Sequence, residues 1–281
     1  MWSSSRPVCK AGTGWAALWL ATTLAGEATA WHDNPDQPQI TDQNAYTLPA
    51  GQHKLGVLGV DYGIVDEFQI GTSFLAWSLL IPNATAEWRF AETSKFAFSG
   101  AVGAAYASTR PYTIAFEDWP VADLGIFPFE LIGTFRMHQD WTWSVGAQFT
   151  TVLLSGEYDK NDFEGAAAVS NLQGHSTIEW RVNRRAALLL HGRYLVFQTV
   201  RAGATVTLEP DEYTTITASA AGESDLLNFP HAYQIIPAVQ LSWDTVNLRL
   251  GVGYGNIIIP AINFVLPKRS LVPQLDLYWR F

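Results

Sequence analysis

The stretch Leu271-Val-Pro-Gln-Leu-Asp-Leu-Tyr-Trp-Arg-Phe281 decides the fold, because its last seven residues alternate strictly between apolar and polar side chains. Successive side chains of a strand point to opposite faces of the sheet. One face carries Leu275, Leu277, Trp279 and Phe281, and the other carries Gln274, Asp276, Tyr278 and Arg280. The pattern predicts a strand with one apolar and one polar face that continues to the terminal aromatic residue.

This ending resembles the closing strand of Gram-negative outer-membrane β-barrel proteins. The resemblance implies that Leu277, Trp279 and Phe281 form the signal read by the barrel-assembly machinery, and that outer-membrane lipid and lipopolysaccharide surround the protein. A second resemblance, to an uncharacterised group of outer-membrane proteins, rests on Ala45-Tyr-Thr-Leu-Pro-Ala-Gly51 with Tyr62-Gly63, Asp66 and Ile70-Gly-Thr72. It implies the same location and brings no activity with it.

The beginning of the chain predicts export. Arg6 and Lys10 precede an apolar stretch from Trp15 to Gly26, and Ala28-Thr29-Ala30 follows as a small-residue cleavage site. These features predict a signal peptide over residues 1–30. We expect a periplasmic lead-in over 31–44 and the barrel over 45–281. No later segment has the roughly 18 uncharged apolar residues of a spanning helix, so strands must cross the membrane.

Composition fits an exported barrel. Apolar residues make up 48% and aromatic residues 13% of the chain, yet mean hydropathy is only +0.05. Apolar residues are therefore dispersed by alternation, the weak signal of a spanning barrel. The formal charge of −9 argues against a nucleic-acid partner. Cys9 is the only cysteine and lies within the predicted signal peptide, so no disulfide is expected.

Four hairpins repeat one pattern of an alternating strand, a short polar turn and a second alternating strand. Their turns are Glu92-Thr93-Ser94, Gln139-Asp140, Asn183-Arg184 and Asp244-Thr245. Strands of about 9 to 11 residues match the length needed to cross a bilayer at a tilt. The longer connections, near 76–83, 108–121, 155–167, 200–230 and 258–270, are expected outside the cell. The longest contains Thr205-Val-Thr-Leu208 and Thr214-Thr-Ile-Thr217, which predict a hairpin above the membrane.

Alternation alone leaves a soluble sandwich or lipocalin-like barrel open, since either fold would bury the apolar face. Two features favour lipid: the other face carries small residues and charges, and aromatic residues cluster beside the short turns. This predicted interfacial girdle consists of Phe90, Phe96, Phe135, Trp141, Trp143, Trp180, Trp243, Trp279 and Phe281. The predicted fold is an all-β, transmembrane antiparallel up-and-down barrel. It has about twelve strands, with eleven counted back from Phe281 through 53–64 and one more over Ile40 to Leu48.

Charged side chains on the polar face are candidate lumenal residues. The selectivity candidates are Glu87, Arg89, Glu130, Arg136, Glu179, Arg181, Arg193, Arg249 and Arg280, and His175, His191 and Asp276 share their face. Arg89, Arg136, Arg181 and Arg280 each lie next to a girdle aromatic and would form a partial ring at the periplasmic mouth. Such a ring can bias ion passage. The alternative is that Glu87 with Arg89, and Glu179 with Arg181, form lumenal ion pairs.

Catalytic and metal sites receive less support. His175 and Ser176 are adjacent, hence on opposite faces, and none of the six histidines has Ser two residues on, as outer-membrane lipid hydrolases show. Asp159-Lys-Asn-Asp162-Phe-Glu164 offers clustered oxygen ligands, but a solvated acidic loop is the favoured interpretation. No cofactor motif is present.

The sequence therefore predicts a narrow porin-like channel for ions or small polar solutes, with no catalytic residues. A closed structural or adhesin-type barrel and an outer-membrane lipid hydrolase stay open as alternatives.

Overall fold

The computed structural model describes residues 41, 44–78, 80–110, 121–158, 163–211, 214–224, 232–243, 245–259 and 264–281. A single short helix, α1 (Phe74–Ser78), accompanies thirteen strands in these ranges. The strands are β1 (His53–Gly56), β2 (Gly59–Val65), β3 (Phe68–Ser73), β4 (Asn83–Glu92), β5 (Phe96–Ser108), β6 (Val121–His138), β7 (Trp141–Tyr158), β8 (Phe163–Asn183), β9 (Ala186–Asp211), β10 (Thr214–Ser224), β11 (Tyr233–Trp243), β12 (Val246–Ile259) and β13 (Phe264–Arg280). Within the described residues, no helix has the length and apolarity required to cross a membrane.

Twelve of the strands close into an antiparallel barrel. Strands β1 to β9 pair in sequence order, and so do β11 to β13. Strand β9 also pairs with β11, and β13 pairs with β1, which closes the ring. The remaining strand, β10, pairs only with the upper part of β9, from Val200 to Asp211. This pairing confirms the hairpin predicted within 200–230, and the predicted up-and-down barrel of about twelve strands is also confirmed.

The barrel has an apolar outer face, and its inner face is polar in the half that carries the short turns. Along β13, Leu271 and Leu275 are 70% and 62% exposed on the outer face, whereas Tyr278 and Arg280 are buried on the inner face. The other strands follow the same alternation, with Gln240 and Ser242 inward on β11 and Ile235 outward. A soluble barrel would bury its apolar face, so this arrangement is the one that a surrounding bilayer stabilises.

The predicted aromatic girdle forms a belt on the outer face beside the short turns. Phe96 pairs across strands with Phe135, whose ring centroid lies 6.0 Å from that of Trp143. Trp141 and Trp180 stack with centroids 5.3 Å apart. Offset and edge contacts of this kind add to the stability gained from area burial, and the belt fixes the lower rim of the barrel.

The strand predicted over Ile40 to Leu48 is not formed. Residues 44–48 have no strand structure and lie inside the barrel, where Ala45, Tyr46 and Leu48 are buried. The total of twelve strands is nevertheless correct, because the segment 53–64, which was counted as one strand, contains β1 and most of β2. The alternation of apolar and polar residues over 44–48 was assigned to a strand, but a non-regular segment packed inside a barrel also buries alternate apolar side chains. The signal peptide and residues 31–40 lie outside the described residues.

The barrel wall is uneven in height. β1, β2 and β3 have four, seven and six residues, whereas β8 and β9 have 21 and 26. At about 3.3 Å per residue, β1 is about 13 Å long, short of the apolar band of about 25 Å that a membrane barrel presents. Long strands therefore stand opposite a low stretch of wall.

Candidate functional site

A segment of the chain lies inside the lumen, at the end of the barrel that carries the short turns. The lumenal plug, defined here as residues 44–48, packs its apolar side chains against Ala97 and Ile132 of the inner wall. The Ala45 N–H donates to the Thr134 hydroxyl at 2.8 Å, and the Leu48 N–H donates to the Gln69 side-chain oxygen at 2.8 Å. Polar groups of the wall thus satisfy the backbone of a non-regular segment, which would otherwise be costly to bury.

A buried carboxylate anchors the start of the plug. Glu179, on the inner face of β8, is fully buried and accepts a hydrogen bond from the Thr142 hydroxyl at 2.6 Å. It also accepts bonds from the Asn44 side chain and the Thr41 backbone. Because a buried acid is stable only when hydrogen-bonded, these contacts tie the plug to the wall.

Close backbone packing holds the plug at its other end. Gly63 of β2 lies directly beneath Pro49, and a Cβ at this position would lie 2.6 Å from the Leu48 carbonyl oxygen. The Gly51 N–H donates to the Gly63 carbonyl at 2.8 Å, with Gly51 in the left-handed conformation at φ +78°. Glycine is required at both positions, by close approach at one and by backbone conformation at the other.

The predicted arginines lie at the end of the barrel that carries the short turns, and they face inward. Arg89 forms an ion pair with Glu92 at 3.1 Å and donates to the Asp66 carbonyl at 2.9 Å. Arg136 and Arg89 both lie near Tyr46 of the plug, and Arg280 is buried near Glu179. Arg181 occupies the next inward position of β8 after Glu179. The partial ring therefore surrounds the plug, while its role in ion selectivity stays a prediction.

One of the two predicted ion pairs is replaced. Arg89 takes Glu92 as its partner, and Glu87 accepts a hydrogen bond from Gln69 at 2.8 Å. The side chains of residues two apart on one strand run parallel, so Glu87 and Arg89 each find a nearer partner on a neighbouring strand or beside the turn.

Arg249 is buried on β12, where it donates to the Gln240 side-chain oxygen at 3.1 Å. It lies opposite Asp276 of β13 in the strand register.

A second polar cluster lies above the plug on β6 to β9. We call Glu130, Gln148, Gln173, His175 and Arg193 the mid-lumen cluster. His175 Nε2 lies 2.7 Å from Glu130 Oε1, which is within ion-pair distance, but the angle between the two groups does not allow a hydrogen bond. Arg193 Nη1 lies 3.5 Å from the Gln148 side-chain oxygen. The sequence predicted that Glu130, His175 and Arg193 face the lumen; their grouping depends on strand register.

The protonation state of His191 argues against catalysis beside this cluster. Arg193 Nε–H donates to His191 Nε2 at 2.8 Å, and the Thr177 hydroxyl lies 2.6 Å from His191 Nδ1. A guanidinium cannot accept a hydrogen bond, so Nε2 is the acceptor and Nδ1 carries the proton. His191 therefore donates to Thr177 and cannot serve as its base. Ser176 points outward and accepts from the Trp143 indole at 2.9 Å, on the face opposite His175.

The described residues contain no group of three or more His, Cys, Asp or Glu side chains that could hold a metal ion. In the acidic segment 159–164, for which a solvated loop was favoured over a cation site, residues 159–162 lie outside the described residues. Glu164 is exposed on β8.

Alanine at Gly146 is expected to displace His175. A Cβ there would lie 2.5 Å from His175 Cε1 and 2.7 Å from the Leu131 carbonyl oxygen. Such overpacking costs about 1–3 kcal/mol, at about 2–4 °C per kcal/mol in a domain of this size. The measurement is the temperature at which the folded band is lost on a heat-modifiability gel. Gly174→Ala, where a Cβ meets nothing within 4 Å, is the matched control. Equal temperatures for both variants would contradict the packing described.

The outer half of the lumen is apolar. Three polar inward residues, Thr150, Asn171 and Gln198, lie directly above the mid-lumen cluster. The other inward positions in the upper part of β5 to β9 carry small or aliphatic side chains. They are Ala101, Gly103, Ala105, Ile126, Val152, Leu154, Ala167, Val169, Val200 and Ala202. Leu154 is half exposed although it faces inward, and Ala202 is exposed as well. A space with an apolar lining therefore opens at the end of the barrel opposite the short turns.

Among the described residues, a gap in the wall lies above β1 and β2. The turn between the two strands consists of Val57 and Leu58. The pairing of β1 with β13 ends where Gly56 lies opposite Tyr278. One further hydrogen bond joins the Val57 N–H to the Leu277 carbonyl at 2.9 Å. Above Leu277, in the described part of the chain, β13 has no strand partner on this side. We call this space, bounded by β13 and α1, the wall gap. Its lower edge is apolar, with Val57 62% and Leu75 56% exposed.

No protein-family model matches the chain. No curated protein sequence matches it at a significant level. Solved structures of TodX are similar in fold. The crystal structure of the Pseudomonas putida toluene transporter TodX is 11% identical, with 85% of this chain and 91% of that chain covered and a TM-score of 0.36. A TodX deltaS2S3 mutant, a monoaromatic hydrocarbon channel, is 11% identical over 85% and 92% of the two chains, with a TM-score of 0.38. Likeness at this level carries no weight for function.

Proposed function

We propose that the protein is an outer-membrane channel for small apolar solutes, which enter through the outer half of the lumen and leave through the wall gap into the bilayer. The observation that carries the proposal is the combination of an apolar upper lumen with a low stretch of wall at β1 to β3. Apolar solutes partition into such a space, and an opening within the apolar band spares them an aqueous exit.

The plug and the buried polar residues around it supply the second half of the proposal. Thr134, Ser144, Glu179 and Tyr278 are all buried at the periplasmic end. A water-filled path requires hydrated side chains, so the described conformation favours lateral exit over diffusion through the periplasmic mouth. Passage of ions or small polar solutes, the function expected from the charged lumenal residues, would require displacement of the plug.

The test uses N-phenyl-1-naphthylamine, an apolar dye that fluoresces in hydrocarbon and is excluded by an intact lipopolysaccharide layer. Cells that produce the wild-type barrel are expected to take up the dye faster than cells without it. The double variant Ala105→Trp with Ala167→Trp fills the upper lumen from β5 and β8 and is expected to slow uptake.

Ala104→Trp with Ala168→Trp is the matched control, because these neighbours on the same two strands point outward. The control is expected to leave uptake unchanged. Equal uptake with and without the wild-type barrel, in cells where the folded protein is present, would contradict the proposed function.

A further inference from the structure

The mid-lumen cluster contains an unusual buried amide. Gln173 is 1% exposed, and both its side-chain oxygen and its side-chain nitrogen are buried without a hydrogen-bond partner. An unpaired buried amide costs free energy comparable to one or more lost hydrogen bonds. Proteins retain such groups where a ligand or an ordered water supplies the missing partners.

The neighbours of Gln173 on β7 and β6 are polar, whereas its cross-strand partner on β9 is the buried Leu195. Gln148 is its direct cross-strand partner on β7, and Glu130 is the partner of Gln148 on β6. Arg193 reaches toward Gln148 from β9, but their 3.5 Å separation leaves at most a weak bond. Both donor and acceptor capacity therefore remain unused around Gln173.

The surroundings hold these groups in place. The ring of His175 packs over Gly146, which has no side chain to obstruct it, and approaches Glu130 at 2.7 Å. Arg193 is fixed through His191, which is itself bonded to Thr177. A site whose polar groups are held by second partners is preorganised for binding.

The hydrogen-bond inventory selects the chemistry of the ligand. Gln173 presents an amide oxygen that needs a donor, and an ionised carboxylate has no donor to give. A carboxylate would also have to be buried beside Glu130. A hydroxyl group both donates and accepts, so it can bond to an amide oxygen while it accepts from the Gln173 amide or the Arg193 guanidinium.

We propose that the mid-lumen cluster is a binding site for the hydroxyl group of a small apolar alcohol, with Gln173 as its principal hydrogen-bonding residue. The apolar body of the ligand lies in the upper lumen and its hydroxyl reaches down to the cluster. The inference rests on the proposed function, because the ligand has to reach the cluster through the upper lumen.

The test measures fluorine NMR binding of three probes that share one ring and differ in one group. They are 4-fluorobenzyl alcohol, 4-fluorotoluene and 4-fluorobenzoate, each titrated into the refolded full barrel in detergent and into detergent alone. The alcohol is expected to bind about tenfold more tightly than the toluene, the difference that about 1.4 kcal/mol of hydrogen bonding produces. The benzoate is expected to bind most weakly.

Gln173→Leu is expected to abolish the preference for the alcohol and to leave binding of the toluene unchanged. Gln198→Leu, another inward glutamine on β9, is the matched control and is expected to retain the preference. Equal affinities for alcohol and toluene in the wild type, or a preference that survives Gln173→Leu, would show that Gln173 bonds only to water and would overturn the site. Absence of binding by all three probes would instead contradict the proposed apolar path.

Discussion

Replacing Gly63 with alanine is expected to open the turn-side mouth of the barrel to ions. The Cβ would collide with the carbonyl oxygens of Leu48 and Pro49, which are backbone atoms and cannot rotate away as a side chain could. The plug would have to move from β2, and its bonds to Gln69 and Asp66 would be strained together. In planar bilayers we expect discrete conductance steps for Gly63→Ala and a silent wild type.

Two controls and a cysteine reporter distinguish displacement of the plug from misfolding of the barrel. Gly174→Ala, at a position with open space, is expected to stay silent. Heat-modifiable migration on gels establishes that each variant is folded. A chain with a single cysteine at Ala45 adds direct evidence, since Cys9, in the predicted signal peptide, is the only native cysteine. This reporter is expected to resist a water-soluble thiol reagent in the wild-type background and to react in the Gly63→Ala background. A folded, silent and unreactive variant would contradict closure by residues 44–48.

Lysine at Val57 is expected to slow dye uptake strongly. Val57 lies at the lower edge of the wall gap and is 62% exposed, so a longer side chain fits without repacking. A hydrated ammonium group there raises the barrier for an apolar solute, and each increase of about 1.4 kcal/mol slows passage about tenfold.

Val65→Lys provides the matched control. Val65 is also an exposed valine at the end of a short strand, but it lies beside the lower turn between β2 and β3, away from the gap. The uptake rate of N-phenyl-1-naphthylamine is expected to fall for Val57→Lys and to stay at the wild-type value for Val65→Lys. Equal rates for the two variants would remove the wall gap from the solute path.

The fold was predictable because alternation is local. The outward and inward faces of β11 and β13 follow from period two alone, and the aromatic girdle follows from its position beside the turns. The plug was not predictable in this way, since Tyr46 and Leu48 alternate with polar residues just as strand residues do. The feature that distinguishes the plug from a strand is the close packing of the Leu48 and Pro49 backbone on Gly63. This packing exists only in the folded barrel.

Part of the candidate site was likewise predictable from local alternation, and part was not. The lumenal orientation of Glu130, His175 and Arg193 follows from sequence, whereas the approach of His175 to Glu130 over Gly146 depends on the register of three strands. The wall gap was also missed. Gly56 and Gly59 flank the turn and are a turn signal, but the apolar Val57 and Leu58 between them let the segment through β1 and β2 resemble one continuous strand.

The most direct test of the central claim, that apolar solutes leave sideways while the plug closes the mouth, is the double variant Gly63→Ala with Val57→Lys. Ion conductance and dye uptake are measured on the same folded protein. The two-route account predicts that the conductance of Gly63→Ala persists while dye uptake falls to the level of Val57→Lys alone, because distant and independent sites act additively. Recovery of fast dye uptake through the opened mouth, or loss of ion conductance on adding Val57→Lys, would show one shared path and would contradict the account.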